Sequence, residues 1–474
     1  MKNYGIFRSR HRSDTLIIIS MHRTTNLLLV LLLLVSCSPA KPTPLLIVIT
    51  HPDGPLLVGD QVSFEVLAPT LGGGNATGVT VSINGQDLGG AGFAPYGLGG
   101  RQEATLWWVW NTKGLAAGDY NLTFTLQPEN NSETVIIKLH PAGQVPAPEP
   151  TAAWATTTTV CCTIYYITGT AAERDLSTLS QEADQQSEAV AAQMGTTLPS
   201  RIDLVLMPRV VGQGGFTWGG IYISYLDRNY LGSDMPILFH HEFVHYYDAL
   251  LGGSYLPSML QEGLAVYLTG GHFKPEPLLP RAAALLDLDW YIPLTKLADD
   301  FYHQQHDIGY LEAGALVEYL VQTYGWKAFN QFYRAIPAPK DQTDSSVIDS
   351  SLKTTLGITF EDLETGLLKT LRSQAVSDQV RADLRVSVDF FNTARRYQAA
   401  LDPSAYFLTA WLPNGADMRQ RGIVADLLRH PDGWKNRMVE SLLIRSYGEL
   451  INGSYQSAST TLEWTNWVLD FIRH

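Results

Sequence analysis

The hydrophobic pattern of the first part of this 474-residue chain differs in period from that of the rest, and that difference limits the folds it can adopt. Over residues 45–140, apolar and polar residues alternate in short runs separated by glycine-rich turns: QVSFEVLA, GVTVSING, EATLWWVWNT, GDYNLTFTLQP and ETVIIKLHP. Successive side chains of a strand point to opposite faces, so this alternation predicts strands with one buried face. Roughly five to seven such strands predict an antiparallel β-sandwich.

The phrase GDYNLTFT resembles the late strand of bacterial immunoglobulin-like modules. The paired cysteines of antibody domains are absent, so the resemblance implies a shared architecture only. The aromatic run at residues 107–110, WWVW, is expected to pack in the core and at the sheet edge rather than to form a binding face.

Residues 141–159 are rich in Pro, Ala and Thr and are expected to form an extended linker. From residue 160 onward, strand patterns (VCCTIYYITG, RIDLVLMP, GGIYISYL) alternate with helical ones, which predicts an α+β domain over residues 160–372. Residues 373–474 have only helical patterns and predict a C-terminal all-helical domain. The expected fold is therefore α+β and multidomain.

The N-terminus has the features of an export signal. A basic start at His22-Arg23 precedes an apolar run too short to span a bilayer, and a small residue comes directly before Cys37. Residues 1–37 resemble a bacterial lipoprotein signal, which implies a lipid on Cys37 and a protein anchored to the membrane outside the cytoplasm. Cys161 and Cys162 then remain, either as strand residues or as a vicinal disulfide.

The composition, 45% hydrophobic and 17% charged, is that of a folded protein. Its net charge of −13 argues against nucleic acid as a partner bound through charge.

The stretch PILFHHEFVHYYDALLGG contains three histidines and one glutamate within six residues. Residues four apart lie on one face of a helix, so His241 and His245 are expected to converge as two imidazoles must to share a zinc ion. Glu242 then stands beside the first ligand, where it can act as a general base without ligating. His240 does not fit this register, because Val244 is its partner four residues on. The alternative is an ordinary amphipathic helix with exposed histidines.

A third ligand follows after sixteen residues, in LQEGLAVYL. We expect this segment to begin a second helix, with Glu262 in its first turn and facing the core. Two histidines and one glutamate make an open, catalytic type of zinc site, with one Zn²⁺ per chain. The alternative for Glu262 is a charge that favours the helix dipole.

Residues 160–371 resemble the gluzincin metallopeptidases, and most closely their bacterial peptidase MA-like branch. The resemblance is carried by HEFVH, by EGLAVY, by the strand GGIYIS and by the later YLEAGALVEYL. It implies that His241, His245 and Glu262 hold zinc and that Glu242 is the general base and proton shuttle. It also implies that GGIYIS is an edge strand that binds the substrate backbone.

The resemblance further implies a donor to the oxyanion formed during hydrolysis. Tyr310 is the candidate, since relatives use a tyrosine of a Tyr-x-x-Gly phrase, although Gly314 falls one residue late. His303 and His306 are the rivals, because thermolysin-like members use a histidine.

Two features depart from the family pattern. The Gly-x-Met-x-Asn motif of aminopeptidases is absent, so nothing favours that activity. The acidic residue expected one turn after the third ligand is replaced by Val266. Asp248 lies one turn beyond His245 and is a possible acceptor for its second nitrogen, but we expect it to be an exposed helix residue.

These observations together predict a membrane-anchored, extracytoplasmic zinc peptidase whose partners are peptide or protein substrates. Two alternatives are kept open. One is a surface binding protein that retains the zinc-peptidase fold without catalysis, and the other is a zinc hydrolase of a non-peptide substrate.

Overall fold

The computed structural model describes residues 45–67, 76–98, 100–128, 130–208, 214–226, 228–232, 234–406 and 414–473. The chain mixes helix and sheet, with several small sheets and a helical C-terminal region. Among the described residues, no helix is both long and apolar enough to cross a membrane. Cys37, the expected lipidation site, lies outside them.

Eight strands form two four-stranded antiparallel sheets in the N-terminal part of the described chain. They are β1 (Leu46–His51), β2 (Gln61–Leu67), β3 (Gly78–Ile83), β4 (Gln86–Gly92), β5 (Ala94–Tyr96), β6 (Arg101–Asn111), β7 (Gly118–Gln127) and β8 (Ser132–Leu139). The sheet orders are β1-β2-β6-β5 and β4-β3-β7-β8. Both sheets share one core, in which Phe64 of β2 meets the edge of Phe124 of β7 with ring centroids 5.2 Å apart.

Of the tryptophans of WWVW, Trp110 packs in the core shared by the two sheets, whereas Trp108 is buried outside that core, against later strands and C-terminal helices. The three strands beyond the five quoted runs are β1, β4 and β5. Strand β4 is glycine-rich and β5 has only three residues, so neither shows a clear period of two.

A third sheet follows, with the order β12-β13-β11-β10-β9. Its strands are β9 (Trp154–Thr158), β10 (Cys162–Ile167), β11 (Ile202–Met207), β12 (Gly215–Thr217) and β13 (Ile221–Ser224). Strands β10, β11 and β13 run parallel, whereas β9 and β12 are antiparallel to their neighbours. Strand β9 consists of residues that the composition had assigned to a linker. Its threonines pair with β10 and leave alternate side chains exposed.

The expectation that GGIYIS is an edge strand is wrong. Ile221–Ser224 is paired on both sides, with β11 and with β12. The edge next to it is β12, a three-residue strand that was too short to show a period. The alternative raised for Cys161 and Cys162 is realised, because the two are joined as a vicinal disulfide and only Cys162 belongs to a strand.

Between residues 171 and 372 the described chain forms ten α-helices: α1 (Ala171–Arg174), α2 (Leu176–Met194), α3 (Met235–Leu251), α4 (Ser258–Thr269), α5 (Leu278–Asp287), α6 (Leu294–Asp299), α7 (His306–Tyr324), α8 (Trp326–Arg334), α9 (Asp344–Thr355) and α10 (Phe360–Arg372). Helices α4 and α7 approach closely at two glycines. A Cβ on Gly263 would lie 2.5 Å from the carbonyl oxygen of Ala313, and one on Gly314 would lie 2.5 Å from Val266. Gly314 thus serves the packing that brings Glu262 and Tyr310 to one place.

The C-terminal region contains α11 (Asp378–Leu401), α12 (Gly415–Arg421), α13 (Ala425–Leu428), α14 (Trp434–Ile451) and α15 (Tyr455–Arg473). This region contacts the N-terminal sheets through buried polar groups. Both terminal nitrogens of Arg429 bond to Asp60 at 2.7 Å, and the indole of Trp108 donates to Asp426 at 2.6 Å. The C-terminal helices are therefore joined directly to the first strands of the described chain.

Candidate metal centre

Helix α3 places the two candidate histidines on one face. Asp234 caps its N-terminus by accepting from the Ile237 backbone N–H, and Gly252, at φ 75°, follows its last residue. Between these ends, His241 and His245 are one turn apart, with ring centroids separated by 4.7 Å. Both rings point to the same side of the helix.

Helix α4 supplies the third group. It begins at Ser258, earlier than expected, so Glu262 is its fifth residue and not part of its first turn. Its Oε2 lies 3.2 Å from Nε2 of His241 and 3.1 Å from Nε2 of His245, and the two Nε2 atoms are 3.0 Å apart. The three atoms form a nearly equilateral triangle.

This triangle fits a zinc ion. A tetrahedral ion with bonds of about 2.0 Å holds its ligand atoms about 3.3 Å apart, close to the three observed separations. All three side chains are buried or nearly so, and their donor set of two imidazoles and one carboxylate suits zinc. His241, His245 and Glu262 can therefore hold one metal ion without rearrangement of the backbone.

The ionisable side chains of the cluster shift one another's pKa values. Burial alone would raise the pKa of Glu262, but the imidazoles of His245 and His241 hold it well below its usual value. Burial would lower the pKa of His245, but the facing carboxylate of Glu262 raises it to about 9. The ionised carboxylate thus favours positive charge at the point where the three side chains meet.

His240 takes no part in this cluster. Its two ring nitrogens contact Gln186 and Gln193 of α2 at 2.7 and 2.9 Å, and burial lowers its pKa to about 4. This arrangement agrees with the register in which His241, not His240, is the first ligand.

The expectation for Asp248 is wrong, since the residue is fully buried rather than exposed. Its carboxylate accepts from the Tyr333 hydroxyl at 2.8 Å and pairs with Arg334 at 2.5 Å. Burial raises its pKa despite these partners. Asp248 does not serve His245 either, because Nδ1 of His241 and Nδ1 of His245 have no hydrogen-bond partner among the described residues.

A tyrosine supports the third candidate ligand. The hydroxyl of Tyr302 donates to Oε1 of Glu262 at 2.9 Å, and this bond orients the carboxylate so that Oε2 faces the histidines. Tyr302 lies in a single turn of 3₁₀ helix, Phe301–His303, forty residues from Glu262. No periodic pattern in the sequence indicated it.

Glu242 lies beside the triangle and against strand β12. The Thr217 hydroxyl is 2.9 Å from Oε2 of Glu242 and 3.1 Å from its backbone oxygen. A Cβ on Gly215 would lie 2.9 Å from the Glu242 side chain, so this strand approaches the carboxylate as closely as glycine permits. Burial raises the pKa of Glu242, against the opposing effect of the charges on His245 and His241.

Tyr310 is buried on the other side of the cluster. Its ring stacks on that of His272, with the ring centroids 4.1 Å apart. The centroid of the Tyr310 ring also lies 4.4 Å from that of His306 and 6.3 Å from that of His241. The rival His306 is part of the same stack, whereas His303 is exposed and pairs with Asp300. His272, which sequence reasoning missed, lies 5.6 Å from the ring of His241, and burial lowers its pKa to about 3.

The three candidate ligands line a cavity of about 620 Å³ together with Glu242 and Tyr310. The candidate ligands and Glu242 form one part of its wall, and strand β12 and the exposed Trp218 form another part. Helix α11 contributes Phe391 and Arg395. The C-terminal helical region therefore helps to enclose the site.

Searches for similarity add no assignment to this geometry. No protein-family model matches the chain, and no curated protein matches it.

Proposed function

We propose that this protein is a zinc-dependent peptidase of the gluzincin type that hydrolyses peptide bonds. The observation that carries the proposal is the convergence of His241, His245 and Glu262 within a cavity that also contains the carboxylate of Glu242. A closed structural zinc site would use four protein ligands, whereas this set offers three and opens on a space large enough for a peptide.

His241, His245 and Glu262 would hold the zinc ion, which supplies Lewis acidity toward water and toward the scissile carbonyl. Glu242 acts as the general base that takes the proton from the attacking water and passes it to the leaving amine. Burial raises the pKa of Glu242, and a higher pKa favours a base that must later release the proton to the leaving amine as an acid. Thr217 holds the carboxylate in place.

Tyr310 is proposed to donate its hydroxyl proton as a hydrogen bond to the oxyanion of the tetrahedral intermediate. The ring stack with His272 fixes the orientation of the phenol. Strand β12 is proposed to bind the substrate backbone by strand addition, since its outer edge has no neighbouring strand within the described part of the chain.

The finer assignment of regions also belongs to this proposal. Residues 45–140 would be an immunoglobulin-like stalk, residues 160–372 the gluzincin domain and residues 373–474 a helical domain. A lipid on Cys37 would anchor the protein outside the cytoplasmic membrane.

The test is to map cleavage of a mixed peptide library by mass spectrometry. Zinc-loaded protein of residues 38–474 is compared with the same protein carrying Glu242→Gln, and zinc content is measured for both. Internal cuts made only by the wild type, with one zinc in each protein, would support an endopeptidase, and single-residue trimming would indicate an exopeptidase. If neither protein cuts although each binds zinc, the binding-protein alternative is favoured.

A further inference from the structure

The wall of the cavity that comes from α11 bears a charged side chain outside the proposed catalytic groups. Phe391 and Arg395 are four residues apart on α11 and both line the cavity. The ring of Phe391 packs near two others, with its centroid 4.7 Å from that of Phe273 and 6.3 Å from that of His306. His306 in turn contacts Tyr310, so this wall is continuous with the groups next to the metal ligands.

Charge is distributed unevenly within this cavity. Arg395 is the one lysine or arginine among the described residues that line it. Two of the lining carboxylates, Glu242 and Glu262, belong to the proposed catalytic centre, and the third, Asp234, caps helix α3. The acidic groups of the centre thus lie on α3 and α4, while the guanidinium lies on α11.

Its neighbours make Arg395 suited to recognise an anion. A terminal nitrogen of Arg395 donates to Oε1 of Gln398 at 2.7 Å, which helps to position the guanidinium, and the buried carboxyl of Asp307 also acts on it electrostatically. A guanidinium remains charged at any pH that a folded protein tolerates, and its planar set of donors matches the two oxygens of a carboxylate. The aromatic surroundings lower the local dielectric constant and strengthen such a pair.

We propose that Arg395 binds a carboxylate of the peptide substrate and thereby makes the enzyme selective for acidic peptides. This inference rests on the proposed peptidase function and names its substrate class. The carboxylate has two possible sources, the free C-terminus of the peptide and the side chain of an Asp or Glu near the scissile bond. Both present the same chemistry to the guanidinium.

The test uses matched peptides and measures binding separately from cleavage. The peptide that the library shows to be cut best, or a library octapeptide if none is cut, is prepared with a free C-terminal carboxyl and with a C-terminal amide. A second pair has Glu or Gln at the positions next to the bond. Dissociation constants are measured with zinc-loaded Glu242→Gln protein, which separates binding from turnover, and kcat/KM is measured with the wild type.

In one of the two pairs, we expect the peptide with the carboxylate to bind about 10- to 100-fold more tightly than its uncharged partner, as for a hydrogen-bonded charge pair. Arg395→Gln, made in both backgrounds, should abolish that ratio mainly through weaker binding of the acidic member, and Arg395→Lys should retain part of it. Arg396→Gln is the matched control, because Arg396 bonds to Asn466 and Asp470 of α15 and does not line the cavity. It should leave the ratio unchanged.

The outcomes separate this inference from the proposed function. If the wild type cleaves the peptides but the dissociation constants and kcat/KM are equal for both members of each pair, the role of Arg395 is overturned. The proposed peptidase function would still stand. A ratio that persists in Arg395→Gln would overturn the role of Arg395 as well. If the wild type cuts nothing but the acidic member still binds more tightly through Arg395, the carboxylate site stands and the catalytic proposal fails.

Discussion

The hydroxyl of Tyr302 donates a 2.9 Å hydrogen bond to Oε1 of Glu262, the carboxylate oxygen that faces away from His241 and His245. The bond leaves Oε2 directed at the two imidazoles. A carboxylate whose second oxygen is held in this way loses less conformational entropy when it binds the ion.

Tyr302→Phe should therefore weaken zinc binding by about 10-fold without loss of the fold. Competition with a chromophoric chelator measures the affinity. Tyr255→Phe is a matched control, since that hydroxyl bonds to Asp344 away from the cavity, and it should not change the affinity. Equal zinc affinity in Tyr302→Phe and the wild type would argue against this support.

Thr217→Val removes the hydroxyl that holds Glu242 but keeps the shape of the side chain. We expect kcat to fall by about 10-fold, because a misoriented base loses part of the contribution of general base catalysis. Zinc content should stay at that of the wild type. Thr217→Ser should retain most of the activity, and full activity in Thr217→Val would show that the hydrogen bond is not needed.

Tyr310→Phe tests the donor to the oxyanion. Loss of one such donor typically lowers kcat by about 100-fold or more, and we expect that result with little change in KM. His303→Ala serves as the control, since His303 is exposed and lies outside the cavity wall. A larger loss in His306→Ala than in Tyr310→Phe would transfer the role to His306.

Asp248→Ala should destabilise the protein strongly, because it leaves Arg334 without its buried carboxylate. The loss of a buried partner typically costs about 3–5 kcal/mol in the free energy of unfolding, which urea denaturation measures. Tyr333→Phe removes one hydrogen bond to the same carboxylate and should cost only about 1 kcal/mol. Loss of zinc from a fully stable Asp248→Ala protein would instead show that Asp248 supports His245.

Asp426 makes stability depend on pH. Burial raises its pKa to about 7, partly offset by the hydrogen bond from Trp108. The folded state holds the proton more tightly than the unfolded state, so this contribution to stability is fully present below about pH 4 and is lost as the pH rises through 7. Asp426→Asn stays neutral, and its Tm should exceed that of the wild type at pH 8 but not at pH 4. A difference in Tm between Asp426→Asn and the wild type that is the same at pH 4 and at pH 8 would contradict this prediction.

Local patterns in the sequence account for the parts of the site that lie within one helix or at a helix start. The spacing of His241 and His245 requires only the period of a helix, and the apolar run after Glu262 indicated the second helix. Helix α11 lies in the region whose patterns are only helical. Its role as a cavity wall depends on packing between distant segments, which no local period encodes.

The residues that sequence reasoning missed act across long separations or from short elements. Thr217 belongs to a three-residue strand, too short for a period of two to be visible. Asp248 was expected to be an exposed helix residue, whereas it is buried, and a lone buried charge is costly unless it is paired. The structure satisfies that charge with Arg334, 86 residues further along the chain.

The contact between Arg429 and Asp60 has a consequence for the order of events during synthesis. The two residues are 369 positions apart, and Arg429 also bonds to Glu149. A ribosome makes the chain from its N-terminus, so the two early carboxylates must wait for this arginine until most of the protein has been produced. The N-terminal strands can pair soon after they emerge, but their junction with the C-terminal helices through Arg429 cannot form until residue 429 has been synthesised.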